Sequence, residues 1–138
     1  MKNLVMLMGL LALASPAFSA DVPDLLTQIA GNHAIIGQAG VIQIVAGTDG
    51  NVGYVQTPAD AVPAGTPASV GPLSDTTFQT DPSTGAVTQT TNFNPSDSAI
   101  HTIVVYTKEA NDIEIDSARC SDTTCIPASY KVSLKTQP

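Results

Sequence analysis

The 138-residue chain sets 12 acidic residues against 5 basic ones for a net charge of −7, and it contains no tryptophan. That balance repels phosphate backbones and argues against nucleic-acid binding. Only 12% of the residues are charged, while Thr, Ser, Ala, Val, Gly and Pro abound, a profile closer to an extracellular β-rich module than to a cytoplasmic enzyme.

The first element is a leader. Met1, Lys2 and Asn3 precede an unbroken apolar run over 4–14, followed by Ser15, Pro16, Ala17, Phe18, Ser19 and Ala20. A short charged region, an apolar core and a small-residue zone are the parts of a secretory signal peptide. The run is shorter than the roughly 20 apolar residues of a permanent span, and Pro16 ends any helix there. Cleavage after Ser19 places small side chains, Ala17 and Ser19, at the two positions that require them. Residues 1–19 are therefore expected to be removed. The 119 residues that remain, 20–138, suit one domain, and their net charge is −8, with Lys108, Arg119, Lys131 and Lys135 as the cations. No second long apolar run follows, so no stable membrane span is expected. The product is read as secreted, either periplasmic or extracellular at the cell surface.

Residues 21–32 predict one short helix, with Pro23 at its first position, acids at its positive end and Gly31 closing it. The apolar stretch 34–46 is rich in β-branched residues and interrupted by Gly37 and Gly40. It reads as a strand over about 40–46, with an earlier strand or a bulge near Gly37. Thr48, Asp49, Gly50 and Asn51 form a turn, and 52–56 returns as a hairpin partner. Residues 57–75 hold Pro58, Pro63, Gly65, Pro67, Gly71 and Pro72, which predict a long loop or arm without regular structure. A second hairpin follows, 76–80 with 86–93, turning at Asp81, Pro82, Ser83, Thr84 and Gly85. The run 99–107 is apolar at both parities, as a central strand covered on two faces would be. Two cleanly alternating segments, 113–116 and 130–135, read as half-buried antiparallel neighbours. The fold class is all-β: an antiparallel sandwich or barrel of about 6–8 strands with one short N-terminal helix and one small disulfide loop.

Few residues point to chemistry. Cys120 and Cys125 stand five apart between two predicted strands, and in an exported chain they are expected to form a structural disulfide. A redox motif needs two intervening residues beside a helix, and zinc needs further ligands, whereas His33 and His101 are the only histidines and lie far apart. His101 sits inside an apolar strand, and no serine has a Gly-x-Ser-x-Gly elbow. The oxygen-bearing pairs Asp49 with Asn51, Asp81 with Ser83, and Asn94 with Asp97 are explained by turn chemistry, and none completes a twelve-residue calcium loop. No catalytic, cofactor-binding or metal residue is assigned, and no cofactor is expected.

In composition the chain resembles subunits of bacterial surface fibres. Type IV pilins carry a cysteine pair near the C-terminus, as at Cys120 and Cys125, but their leader precedes a long apolar helix with an early glutamate. Chaperone-assembled pilins place an aromatic next to last, whereas this chain ends Thr136, Gln137, Pro138. No family follows from these features. The expected function is a non-enzymatic exported structural or adhesive module, a surface-fibre subunit that pairs its strands with protein partners, itself included. In that reading segment 34–46 or the proline-rich loop meets a neighbour's sheet edge. The alternative is a monomeric periplasmic domain that binds a ligand or inhibits an enzyme through loop 57–75.

Overall fold

Alternation of apolar and polar residues bends one antiparallel sheet around its own buried face. The computed structural model describes residues 22–57, 70–93 and 100–137. The expected leader at 1–19, residues 58–69 of the proline-rich stretch and the pair Asn94 and Asp97 lie outside the described residues. The elements in chain order are helix α1 (Asp24–Ile29) and strands β1 (Gly31–Ile35), β2 (Val41–Ala46), β3 (Asn51–Thr57), β4 (Gly71–Pro72), β5 (Thr76–Thr80), β6 (Val87–Asn92), β7 (His101–Lys108), β8 (Asp112–Ser121) and β9 (Thr124–Gln137). They form one sheet in the order β4-β3-β2-β1-β9-β8-β7-β6-β5, with every described pairing antiparallel.

The first and last strands of the sheet belong to one stretch of chain. β4 pairs with the start of β3, a 3-10 turn at Leu73–Asp75 follows, and β5 then pairs with β6. The two edges are thereby drawn together into a nearly closed barrel. At this seam Gly71 lies so close to β6 that a Cβ on it would stand 2.2 Å from Thr91 Cγ2. Side chains complete the closure. Thr76 Oγ1 donates to the Pro72 carbonyl at 2.7 Å and lies 2.8 Å from Thr91 Oγ1. Gln89 Nε2 reaches the Val52 carbonyl of β3 at 3.3 Å.

The interior is packed and partly polar. Ile42, Tyr54, Val104, Tyr106, Ile113 and Val132 are among its fully enclosed residues, and α1 adds Leu26 and Ile29. Tyr106 donates to Gln89 Oε1 at 2.9 Å. On the opposite wall Ser117 Oγ donates to the Ala128 carbonyl, which leaves Tyr54 to donate to Ser117 Oγ at 2.6 Å. Tyr130 donates to Gln56 Oε1, and its ring meets that of Tyr54 edge to face. The large majority of buried polar groups in folded proteins are partnered in this way.

The all-β reading, the short helix and the half-buried pair of strands hold: Ile113 lies opposite Val132, and Ile115 opposite Tyr130. Four expectations are corrected. The strands number nine, against 6–8. The earlier strand offered before Gly37 is β1, and it starts sooner than expected, taking Gly31 and Asn32 from the predicted helix. Gly31 sits at φ +128, a conformation open to glycine, and the chain there bonds between β2 and β9. The strand not expected is β4, in the proline-rich stretch, where two residues reach Asn51 and Val52. Finally, β7 is covered on one face only. Thr102, Val104 and Tyr106 point inward, while Ile103 and Val105 are half-buried on the outside, because a barrel wall has a single covered side.

Candidate functional site

The residues weighed for chemistry are dispersed. His33 is enclosed, with both ring nitrogens against backbone carbonyls. His101 starts β7, opposite Asn92 on one side and Cys120 on the other. Asp81 turns onto its own loop: Ser83 donates to Asp81 Oδ1 from its hydroxyl at 2.7 Å and from its backbone N–H at 2.8 Å, and these bonds hold the Asp81 carboxyl below its usual range. Asn51 Nδ2 reaches the Asp49 carbonyl at 3.4 Å. The histidines and these acids do not converge, and among the described residues no group of three or more His, Cys, Asp or Glu is placed to hold a metal ion.

The predicted disulfide is present. Cys120 and Cys125 face each other across the β8–β9 hairpin with S–S 2.05 Å, and the pair closes a two-residue turn between Ser121 and Thr124. In that turn Asp122 adopts φ +50, which an aspartate tolerates better than most residues. Such a bond belongs to an oxidising, non-cytoplasmic compartment.

The hairpin carries the most distinctive surface. β1 covers the far end of β9, pairing Asn32 with Gln137, His33 with Thr136 and Ile35 with Val132, and its last contact is the Ile36 N–H on the Lys131 carbonyl at 2.8 Å. Residues 124–130 of β9 therefore have β8 on one side and no described strand on the other. Ile126 on this overhang is 66% exposed, and Ile36, where the overhang begins, is 52% exposed.

Pro127 lies within the overhang, and the register explains why the strand accepts it. The Cα atoms of Cys120 and Cys125 are 4.0 Å apart, the narrow kind of antiparallel pair that exchanges no hydrogen bonds. Pairs two residues along are of the same kind, so Ala118 and Pro127 form another, and the proline nitrogen faces away from β8. The outward carbonyl of Lys131, in the same parity, agrees with this assignment. Proline costs the ladder nothing here, because its missing donor would have pointed outward. Neither Ile126 nor Pro127 figured in the sequence reading. The available signal was a proline two residues from a cysteine in a strand-forming run, which marks an edge.

No protein-family model, no curated protein and no solved structure matches the chain. Among the described residues no helix is long and apolar enough to cross a membrane.

Proposed function

We propose that the chain is an exported, non-enzymatic structural or adhesive module that works by protein contact, with the overhang of β9 and the disulfide-bonded tip of the β8–β9 hairpin as its contact element. The observation behind this reading is the exposed Ile126 on a cross-linked projection whose outer edge over residues 124–130 has no partner strand among the described residues. An apolar side chain on a rigid support binds a partner at low ordering cost. An open strand edge also offers backbone groups to an incoming strand. In a surface fibre the incoming strand comes from a second copy. Segment 34–46 is a poor donor for that purpose, since β1 and β2 are each paired on both sides within the chain.

Pro127 favours a second reading. It deprives the open edge of one donor, a common guard against edge-to-edge association, and so supports a monomer that binds a different protein or ligand. Loop 57–75, the binding element first expected for such a monomer, lies mostly outside the described residues. Size-exclusion chromatography and electron microscopy of the mature protein separate the two readings. Filaments or large assemblies support the structural module, and a single monomeric species at every concentration overturns it in favour of the second.

A further inference from the structure

The two halves of the hairpin-tip disulfide stand in different surroundings. Cys120 is only 5% exposed, whereas Cys125 lies at the surface. A disulfide is opened by a thiolate that approaches one sulfur along the line of the bond, while the other sulfur leaves from the far side. Here the bond crosses from β8 to β9. Approach to the Cys120 sulfur therefore comes from the side of β7, where His101 lies opposite Cys120. Approach to the Cys125 sulfur comes from beyond β9, and along residues 124–130 no described strand stands there. The neighbouring strands thus shield one sulfur and leave the other open.

Opening the bond costs the fold little. The β8–β9 ladder runs from Asp112 opposite Ser133 to Ser121 opposite Thr124, so the register is held on both sides of the cysteine pair. The edge also suits a peptide thiol. By the parity that turns the Pro127 nitrogen outward, the backbone groups of Cys125 and Ser129 face outward as well. An extended segment laid along them can bring its own cysteine level with Cys125.

We propose that the tip disulfide is an exchange site for peptide thiols, with Cys125 the sulfur attacked and Cys120 the sulfur released. The thiolate bonds to Cys125 Sγ, the Cys120–Cys125 bond breaks, and its electron pair departs on Cys120 Sγ, which takes a proton from water. No other oxidant or reductant is consumed, and the folded chain ends covalently joined to the peptide through its projecting tip. The site serves a fibre subunit and a monomer alike. The test treats the chain, its bond intact, with reduced glutathione at about pH 8, where part of that thiol is ionised. The reaction is stopped early with acid, and the freed thiol is capped with a maleimide in mildly acidic buffer. Tandem mass spectrometry is expected to find glutathione on Cys125 and the cap on Cys120, in at least about tenfold excess over the reverse arrangement, because access selects the sulfur. That excess is expected to vanish in denaturant, where both sulfurs are reached, and circular dichroism of the adduct is expected to match that of the starting chain. Equal labelling of the two cysteines in the folded chain, an excess on Cys120 or no adduct at all overturns the proposal. So does an excess that survives denaturant, or an adduct that has lost the spectrum of the barrel.

Discussion

Replacing Gln89 with Leu tests whether side chains hold the barrel closed. Gln89 accepts from Tyr106 at 2.9 Å, and its Nε2 donates to Thr91 Oγ1 at 3.2 Å and to the Val52 carbonyl at 3.3 Å. Leucine is close in volume, so the cavity contribution is small and the cost is that of orphaned polar groups. The enclosed Tyr106 hydroxyl loses its only acceptor among the described residues, about 1–3 kcal/mol. Thr91 retains Thr76 as a partner, and the weakened Val52 carbonyl adds about 1 kcal/mol. The sum is about 2–4 kcal/mol, a large part of the roughly 5–15 kcal/mol of an ordinary domain. In urea this lowers the midpoint by about 1–2 M, read by far-ultraviolet circular dichroism because the chain has no tryptophan. Tyr106→Phe alone should cost about 1–2 kcal/mol by orphaning Gln89 Oε1. The double variant leaves neither partner unpaired there, so it should be at least about 1 kcal/mol more stable than the sum of the single losses predicts. If the two losses simply add, to within about 0.5 kcal/mol, the hydrogen-bonded seam is refuted.

Four further outcomes follow from the same geometry. Gly71→Ala drives a methyl into Thr91 and should cost about 1–3 kcal/mol in urea denaturation; adding Thr91→Ser, which removes Cγ2 and keeps the hydroxyl, should restore most of it. Replacing both Cys120 and Cys125 with Ala should cost at most about 2 kcal/mol, the loop-closure value for so short a loop, because the β8–β9 ladder already holds the strands together. Circular dichroism should then be unchanged, while hydrogen exchange quickens at the hairpin tip. Ser83 depresses the Asp81 carboxyl below its ordinary 3.8, so the contribution of that turn is complete above about pH 4 and is lost as the pH falls through the lower native value; Ser83→Ala should flatten that stretch of the acid stability profile. Burial, reinforced by Tyr54, raises the phenols of Tyr106 and Tyr130 above 10.0. Their contribution is therefore complete below the ordinary tyrosine range and declines as the pH rises beyond it, which tyrosinate absorbance followed alongside circular dichroism will reveal.

Local physics was legible wherever a strand obeyed one rule at a time. The alternation of Ile113 and Ile115, the turn at Asp81 and the cysteine pair each led to the element observed, because period, turn chemistry and compartment agree there. The outward apolar residues of β7 misled, since Ile103 and Val105 satisfy strand propensity as well as burial, and sequence alone does not separate the two. The earlier strand before Gly37 was offered by the sequence, but its start at Gly31 was hidden because β9, about a hundred residues away, shares in fixing it. The overhang was hidden for a related reason. An edge is defined by where the neighbouring strand stops, and only the pairing of Ile35 with Val132 fixes that point.

The position of β1 between β2 and β9 also governs when the fold can be completed. A chain emerging residue by residue, from a ribosome or through a translocation pore, can build the hairpins β2–β3, β5–β6 and β6–β7 as it appears. Strand β1 can join β2 as a hairpin early, but its other edge must wait for Val132 and Thr136, about a hundred residues further along the chain. Until then the sheet is open in the middle and its pairings are local ones of low stability. A polypeptide wired this way joins its two halves only once β9 has been delivered.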